Sequence, residues 1–459
     1  MERPDHSPAD AAEAAWAAPR ARGPLDAEVR VPGSKSLAAR GLVLAALADG
    51  PSVIRRPLRA RDTALMQAGL EALGVGFREL DGDALEVTPP ARLTGPASID
   101  CGLAGTVMRF LPAVAALATG RIAFDGDAQA RRRPMSAVLD ALEGLGVEVE
   151  RGEVDGAPAG GLPFAIHGTG SVTGGELEID ASASSQFVSA LLLAAPRFAH
   201  GLTLRHAGER LPSLPHIEMT IECLRARGVD AETTRPGVWH VEPGPIAAED
   251  AVLEPDLSNA EPFLIAAIVA GGEVRIPGWP ERTTQPGALL EGILPRFGAR
   301  VRRTADGALA CDGGAGVLGG ARFPGLELDL GPAGELAPNL AALCALAGSP
   351  SRLVGIGHLR GHETDRLAAL AAELRKLGAR VDELEDGLAI EPPERLAEGV
   401  RWESYEDHRM ATSGAILGLA AEGLAVDDIA CTSKTMPEFP RLWAQMLGAV
   451  AAPGPEAAS

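Results

Sequence analysis

The stretch "LEALGV" at residues 70–75 has the pattern of an amphipathic helix that stops at a glycine. A glycine just after the last apolar residue is a common signal for the C-terminus of a helix. Five later stretches end in the same way, at intervals of 70 to 82 residues: LEGLGV (142–147), LRARGV (224–229), LPRFGA (294–299), LRKLGA (374–379) and AQMLGA (444–449). Chance pairing of leucine and glycine is the alternative, but the regular spacing predicts one structural unit repeated six times.

A second helical run precedes each of these closing helices. These runs are rich in small apolar residues and apolar on nearly every side, which predicts buried helices; they cover residues 37–50, 104–120, 184–196, 259–272, 335–348 and 407–423. Alternating polar and apolar residues after the first five closing glycines predict short strands. The unit is longer than the roughly 20 to 50 residues of solenoid repeats, so we expect the units to group into compact domains.

The grouping predicts an α/β (α+β) fold of two pseudo-symmetric domains with three units each. An acidic segment before the fourth unit suggests that the chain crosses between domains near Glu254, and a matching crossing is expected near Gly33. Domain I would then comprise residues 1–33 and 254–459, with the N-terminal strand joined to the C-terminal half. Domain II would comprise residues 34–253.

The composition argues against several classes of function. The 459 residues carry a net charge of −20 and only 3% are aromatic, which disfavours binding to a phosphate backbone or stacking on bases. No apolar run reaches the roughly 18 residues of a membrane span, and residues 1–24 lack the pattern of a signal peptide. The five cysteines have no CxxC spacing, which disfavours zinc and disulfide frameworks. We expect a cytoplasmic protein with neither nucleic acid nor membrane as partner.

In this acidic chain, polar and cationic residues collect where the buried helices are predicted to begin. The first helix has Lys35, Ser36 and Arg40 near its start, while Thr106 and Arg109 open the second. Ser184, Ser185 and Gln186 precede the third. Helix N-termini favour anions because their backbone N–H groups are free and the helix dipole is positive there. Helix capping alone would explain the hydroxyl residues, but an arginine within an apolar helix requires a buried partner.

Further polar clusters occur later in the chain. They are the arginine run at 131–133, the helix start with His362, Glu363 and Arg366, the "DHR" at 407–409, and Lys434 in a loop. Each has a simpler explanation, such as a solvated loop or an i, i+3 ion pair. Their number favours one anion-binding site assembled from several units.

Seven motifs occur in an order that resembles a known family. They are PGSKS (32–36), AGTVMR (104–109), RRRPM (131–135), SSQF (184–187), ETDRL (363–367), DHRMA (407–411) and SKTMPEFP (433–440). Together they resemble the 5-enolpyruvylshikimate-3-phosphate (EPSP) synthase family, over residues 26 to 449. The resemblance implies two domains of three βαβαββ units, an inside-out α/β barrel-like arrangement with the active site between them, and a monomeric glyphosate target.

The reaction implied by the resemblance is enolpyruvyl transfer from phosphoenolpyruvate to the 5-hydroxyl of shikimate 3-phosphate, in the route to aromatic amino acids. No metal or organic cofactor is implied. For shikimate 3-phosphate, the matching positions are Lys35, Ser36, Arg40, Ser184, Ser185, Gln186, Ser213, Glu335, His358 and His362. For phosphoenolpyruvate, they are Lys35, Gly105, Arg133, Gln186, Arg366, Arg409 and Lys434. The implied catalytic groups are Lys35, Glu335, His362, Glu363 and Lys434, with Asp62 and Arg109 in support.

Several positions depart from the pattern of this family. Glu335 stands where aspartate is commoner, and it is the expected base at the 5-hydroxyl. His362 replaces a common lysine, His358 an asparagine and His216 a tyrosine. Histidine titrates near neutral pH, so these changes bear on the charge of the site. Leu103 replaces an asparagine close to Gly105.

Two alternative functions fit parts of the sequence. A UDP-N-acetylglucosamine enolpyruvyl transferase would have the same architecture, but it typically carries a cysteine in the loop that corresponds to residues 126–134, and this chain has none there. A non-catalytic binder of phosphate esters would be expected to lose its proton-transfer groups. Glu335, Glu363 and Lys434 are all present, which favours an enzyme.

Overall fold

Twelve helices frame the fold within the part of the chain that the structure describes. The computed structural model describes residues 15–154, 157–158, 160–208 and 210–448. The helices are α1 (Lys35–Ala46), α2 (Arg61–Glu71), α3 (Gly105–Ala115), α4 (Ser136–Gly144), α5 (Gln186–Ala194), α6 (Leu214–Ala226), α7 (Leu257–Ala270), α8 (Leu290–Ile293), α9 (Ala337–Cys344), α10 (Arg366–Lys376), α11 (His408–Gly418) and α12 (Phe439–Met446). The start of the acidic N-terminal stretch, up to residue 14, and Ala449 of the last repeat lie outside the described residues.

Short 3-10 turns connect or extend several of these helices: Ala130–Arg132, Ala195–Arg197, Pro286–Leu289, Leu294–Phe297, Gly331–Leu336, Gly357–Gly361 and Ala430–Lys434. The fourth closing helix departs most from the sequence-based prediction. It is a single α-helical turn, α8, followed by the 3-10 turn Leu294–Phe297. Pro295 explains this difference, because proline has no N–H group to continue an α-helix.

Within the described ranges, five four-stranded sheets share one topology, in which a parallel pair is followed by two antiparallel pairings. In spatial order, the first sheet has the strands Asp250–Val252, Ser52–Arg55, Ala84–Thr88 and Gly76–Leu80, and the second has Ala97–Asp100, Thr119–Asp125, Phe164–Thr169 and Glu148–Arg151. The third has Gly175–Ile179, Leu202–His206, Val238–Val241 and Ala231–Arg235, and the fourth has Leu25–Glu28, Gly272–Ile276, Leu309–Asp312 and Arg300–Arg303. The fifth has Glu327–Asp329, Ser351–Val354, Gly387–Glu391 and Arg380–Leu384. The sixth sheet has three strands, Arg401–Trp402, Ala425–Val426 and Trp16–Ala17. A small hairpin joins Glu153–Val154 to Ala157–Pro158. Repetition of the sheets confirms the predicted repeat.

All six closing glycines adopt positive φ, as the sequence pattern predicts. Their φ angles are 98° at Gly74, 84° at Gly146, 75° at Gly228, 86° at Gly298, 93° at Gly378 and 65° at Gly448. Side chains other than that of glycine rarely tolerate this conformation. The repeated glycine therefore marks a repeated change of direction.

The buried residues form two separate hydrophobic cores. The first lobe is built on the core between Ala38 and Leu253. The second lobe is built on a core that combines residues 25–31 with residues 257–447. Every residue of α3, α7, α9 and α11 is buried, which agrees with the prediction of buried helices surrounded by sheets. The mixed α/β class was predicted correctly.

The chain passes between the lobes at two neighbouring places. Gly33 pairs with Pro255 in an isolated antiparallel bridge. The strand Leu25–Glu28 pairs with Gly272–Ile276 of the second lobe, whereas Asp250–Val252 pairs with Ser52–Arg55 of the first. These pairings agree with crossings near Gly33 and Glu254, and we propose the corresponding domain boundaries. None of the described helices combines the length and apolar character needed to cross a membrane.

Candidate functional site

A cleft between the two lobes collects most of the residues singled out in the sequence. Its first-lobe wall contains Lys35, Ser36, Gly105, Arg133, Ser184, Ser185, Gln186 and Ser213. Its second-lobe wall contains Glu335, His358, His362, Glu363, Arg366 and Arg409. Arg40 and Lys434 do not line the cleft, and both are buried behind its wall.

Helix N-termini form much of the first-lobe wall. The helices α1, α3 and α5 begin at Lys35, Gly105 and Gln186, all of which line the cleft. Ser34 caps α1, and the Ser184 hydroxyl accepts a hydrogen bond of 3.2 Å from the Gln186 amide. Free N–H groups at such positions suit phosphate and carboxylate ligands.

Lys35 is held at the cleft by two aspartates. Its backbone amide donates to Asp256 Oδ2 at 3.0 Å, and its Nζ lies 3.4 Å from Asp62 Oδ2. Asp62 is buried in the first turn of α2. Asp256 caps α7 in the second lobe, so it links a second-lobe helix to the start of α1. The supporting role of Asp256 was missed in the sequence, although its place before the apolar helix α7 signalled a cap.

Arg109 has the buried partner that its position requires, but this partner is an amide. Its Nη1 donates to Gln186 Oε1 at 2.8 Å, and its guanidinium lies 5.2 Å from the centroid of the Phe187 ring. Burial, followed by the nearby Arg133, lowers the pKa of Arg109 well below its usual value. The contact fixes the side chain of Gln186 at the cleft.

The guanidinium of Arg40 lies behind the wall and is fully engaged within the first lobe. It donates to Thr220 Oγ1 at 2.8 Å, to Ser189 Oγ at 3.2 Å, and to the carbonyls of Ser36 and His216 at 2.9 and 2.8 Å. Burial lowers the pKa of Arg40 to about 10. The structure therefore does not bring Arg40 to the cleft surface, and direct contact with a ligand stays a prediction. Its hydrogen bonds connect α1, α5 and α6.

Of the three adjacent arginines, Arg133 alone lines the cleft. Arg131 pairs with Asp125 at 2.7 Å on the surface, and Arg132 is exposed. These two arginines therefore match the solvated loop that was the simpler explanation for the run. The Arg133 guanidinium packs against Gly105. A Cβ atom at Gly105 would lie 2.9 and 3.0 Å from its Nη2 and Nη1 atoms, so glycine permits the close approach.

Opposite charges form a buried chain in the second-lobe wall. Lys434 Nζ contacts Glu363 Oε1, and Arg366 Nη2 donates to Glu363 Oε2 at 3.0 Å. Arg366 also binds both oxygens of Asp407, at 2.7 and 3.0 Å. Burial alone would raise the pKa of Glu363, but Lys434 and Arg366 hold it well below its usual value. Glu363 is therefore an anion at neutral pH, and Arg366 keeps its charge.

Asp407 organises this wall, although the sequence analysis assigned it no role beyond its place in a motif. It caps α11 by accepting from the Arg409 amide at 2.9 Å while it binds Arg366. The Arg409 side chain in turn donates to the Ser258 carbonyl at 2.7 Å. Its place directly before a predicted buried helix was the signal in the sequence, because aspartate is a common N-terminal cap.

Three histidines lie in the cleft on the side of Glu335. The rings of His358 and His362 are 5.7 Å apart, and His216 Nε2 lies 3.7 Å from Glu335 Oε1. Glu335 also accepts from Ser258 Oγ at 3.3 Å. Burial is the main cause that lowers the pKa of all three histidines, most strongly for His362, where Arg366 adds to it. The imidazoles are therefore neutral near pH 7, and the cleft has one cation fewer than it would have with a lysine at position 362.

Among the residues that the structure describes, no group of three or more histidine, cysteine, aspartate or glutamate side chains is arranged to hold a metal ion. The cysteines carry free thiols, and those at 101, 311 and 344 are buried.

Comparison with known proteins identifies the family. The family described as "EPSP synthase (3-phosphoshikimate 1-carboxyvinyltransferase)" matches residues 19–443. A curated 3-phosphoshikimate 1-carboxyvinyltransferase from Kocuria rhizophila is 56% identical over 443 residues, which cover 94% of this chain and 96% of that protein.

Solved structures of the same fold extend this result. An EPSP synthase from Acinetobacter baumannii aligns with a TM-score of 0.74 at 22% identity, over 94% of this chain and 97% of that one. The enolpyruvyl transferase NikO from Streptomyces tendae aligns with a TM-score of 0.70 at 18% identity, over 93% and 96%. These likenesses confirm the predicted enolpyruvyl transferase fold. With the family match and the 56% identical relative, they establish that this chain belongs to the EPSP synthase family.

Proposed function

We propose that the cleft transfers the enolpyruvyl group of phosphoenolpyruvate to the 5-hydroxyl of shikimate 3-phosphate and releases phosphate. One observation carries the proposal: two carboxylates, Glu335 and Glu363, share the cleft with cations from both lobes. Both substrates are phosphate esters and one is also a carboxylate. Charged groups that are already in position, in a site that excludes water, stabilise such ligands. They also stabilise the transition state of the reaction between the two substrates.

The first-lobe wall suits shikimate 3-phosphate. Ser184 and Ser185 precede α5, and Ser36 lies in the first turn of α1, so hydroxyl and backbone donors converge where a phosphate ester would bind. Lys35 and Gln186 lie beside them, and Ser213 stands at the start of α6. Glu335, His358 and His362 would face the ring hydroxyls from the second lobe.

The cations further along the cleft suit phosphoenolpyruvate. Arg133 approaches from the first lobe, Arg366 and Arg409 from the second, and Lys434 lies directly behind Glu363. Guanidinium groups bind phosphate and carboxylate oxygens in bidentate fashion. Gly105 has no side chain, so the Arg133 guanidinium can lie directly against the start of α3.

The reaction requires two proton transfers that are later reversed. In the addition step, Glu335 accepts the proton of the 5-hydroxyl, whose oxygen bonds to the second carbon of phosphoenolpyruvate. The methylene carbon takes a proton from Lys434, assisted by Glu363, and becomes a methyl group. In the elimination step Lys434 takes back a methyl proton and the enol ether double bond forms. The bond between the second carbon and the phosphate oxygen breaks, and the leaving phosphate takes the proton that Glu335 holds. Each residue therefore acts as acid in one step and base in the other.

The competing functions fit the cleft less well. The loop at residues 126–134 contributes Arg133 and contains no cysteine, which disfavours the UDP-N-acetylglucosamine reaction. A binder without catalysis would not need the Lys434–Glu363 pair, which is buried in the wall. We also propose a monomer of the cytoplasm that binds glyphosate, as expected from the family.

The test is a direct assay with purified protein. Phosphoenolpyruvate and shikimate 3-phosphate are supplied together, and released phosphate and the enolpyruvyl ether are both measured. We expect equal amounts of the two products, with no product when UDP-N-acetylglucosamine replaces shikimate 3-phosphate. Absence of the ether would overturn the proposal, and turnover with the control acceptor would favour the sister reaction.

A further inference from the structure

The start of α6 meets the turn Gly331–Leu336 across the cleft. The Ser213 amide donates to the Gly331 carbonyl at 3.1 Å. One helical turn further on, His216 Nε2 lies 3.7 Å from Glu335 Oε1. The helix α6 belongs to the first lobe and the turn belongs to the second, so both contacts depend on how the lobes are placed. The function proposed above uses Glu335 and gives His216 no task.

The backbone of His216 is held firmly. Its amide donates to the Ser213 carbonyl at 3.0 Å, and its carbonyl accepts from Arg40 at 2.8 Å and from Thr220 at 3.0 Å. Ser213 has left-handed backbone angles, with φ 52° and ψ 47°, which set the direction in which α6 begins. The buried arginine Arg40 therefore fixes the place from which the imidazole reaches into the cleft.

The imidazole and the carboxylate face each other among several charged groups. Around His216 these are Arg40, Lys35 and Asp256, and around Glu335 they are His358, Arg366 and Glu261. Burial is the main cause that lowers the pKa of His216, so its imidazole is neutral and carries a single N–H. Glu335 Oε1 already accepts from Ser258 on the second-lobe side.

We propose that His216 is a positioning residue for Glu335, and that its Nε2–H donates to Oε1 of the carboxylate when substrates tighten the cleft. The distance of 3.7 Å exceeds a hydrogen bond, but contacts of this kind commonly shorten once the substrate is bound. With Oε1 held by Ser258 and His216 from opposite lobes, Oε2 is left to accept the proton of the acceptor hydroxyl. Closure of the lobes and orientation of the base are thereby coupled. This inference rests on the proposed function.

The test compares His216→Phe, which removes the donor, with His216→Gln, whose amide retains one. Loss of a hydrogen bond to a charged group corresponds to about a tenfold change in rate. We expect His216→Phe to lower kcat about tenfold, to leave KM for phosphoenolpyruvate unchanged, and to move the acid limb of the kcat profile to higher pH. The shift arises because the charged carboxylate loses a donor. We expect His216→Gln to recover most of both effects, and His200→Phe, at an exposed histidine, to resemble the wild type.

Coinciding pH profiles of the wild type and His216→Phe would overturn the inference. Absence of wild-type turnover would overturn the proposed function instead. Nitrogen-15 NMR of labelled histidines in the wild-type protein gives a second readout that does not depend on folding of His216→Phe. The His216 signal, assigned by its loss in His216→Gln, should show the neutral Nε2–H tautomer with both substrates bound. The Nδ1–H tautomer would contradict the inference.

Discussion

Lys434 Nζ of the second lobe donates a hydrogen bond of 3.2 Å to the carbonyl of Leu103 in the first lobe. The same ammonium contacts Glu363, while Arg133 also donates to the Leu103 carbonyl, at 3.3 Å. The backbone at Leu103 is therefore the point where cations of the two lobes meet. Neither lobe alone contains a complete set of groups for the proposed reaction.

Lys434→Met should remove most turnover while binding of shikimate 3-phosphate stays nearly intact. Loss of a general acid typically costs 10²- to 10⁴-fold in rate, whereas the walls around Ser184 and Ser185 are unchanged. Phosphate release measures the rate, and calorimetry measures the binding. A wild-type rate in Lys434→Met would rule out this role for the lysine.

The double variant Lys434→Met/Glu363→Gln controls for the stability of Lys434→Met. The single variant leaves the buried carboxylate of Glu363 without its lysine, and an unpaired buried charge is costly. The Glu363→Gln amide removes this unpaired charge, so it should restore the melting temperature without restoring turnover. Recovery of activity along with stability would show that the lysine is structural.

Gly105→Ala should raise KM for phosphoenolpyruvate about tenfold or more and leave the affinity for shikimate 3-phosphate unchanged. The added methyl group would come within 2.9 Å of the Arg133 guanidinium, which must then move away from its ligand position. Gly41→Ala is the matched control in α1, where a new Cβ meets only Ile54 at 3.8 Å. Equal KM values in the two variants would contradict the placement of the ligand beside Arg133.

Arg40→Met should lower the free energy of unfolding by about 2 kcal/mol or more, because buried hydrogen bonds to Thr220 and Ser189 are lost. We also expect weaker binding of shikimate 3-phosphate, since Arg40 holds the backbone of Ser36 and His216. Denaturant unfolding and calorimetry measure the two effects. Weaker binding with unchanged stability would show instead that the guanidinium contacts the ligand.

The melting temperature should fall as pH drops below about 6.5, the ordinary pKa of histidine. His216, His358, His362 and His408 all have lowered pKa values in the folded protein, mainly through burial. In this range the unfolded chain binds more protons than the folded one, so stability decreases with falling pH. Thermal melts of the wild type and of His358→Asn/His362→Gln, which should show a smaller fall, provide the check. A constant melting temperature down to about pH 5.5 would contradict neutral histidines.

Binding of shikimate 3-phosphate should bring the lobes together. Contacts between the lobes at the cleft edge include exposed polar pairs, such as Gln129 to Glu406 at 2.8 Å and Arg210 to Asp386 at 2.9 Å. Exposed pairs of this kind contribute little by themselves, so the ligand is expected to determine closure. The radius of gyration in solution scattering should decrease at saturation, and an unchanged radius would count against closure.

The repeat could be predicted from the sequence because helix ends leave a local signature. The glycines at 74, 146, 228, 298, 378 and 448 mark the ends of units whether or not the rest of the fold is known. The short fourth closing helix shows the limit of the pattern, since Pro295 changed the helix type without changing its apolar spacing. The positions of the two crossings were expected only from one acidic segment and a symmetry argument.

The residue types of the site were predictable, but their exact positions were not. A cation near a helix start looks the same in sequence whether it lines the cleft, as Lys35 does, or lies behind its wall, as Arg40 does. The difference depends on Thr220 and Ser189, which are far away in the chain. Asp256 was missed for the same reason, and His216 was noted only as a departure from the family pattern, because the roles of both residues depend on contact between the lobes.

A crystal structure with shikimate 3-phosphate and a non-reactive phosphoenolpyruvate analogue tests the central claim most directly. We predict one phosphate beside Ser184 and Ser185, and the other between Arg133 and Arg409, with both ligands enclosed by the two lobes. Ligands bound to one lobe only, or phosphates away from these four side chains, would contradict the account.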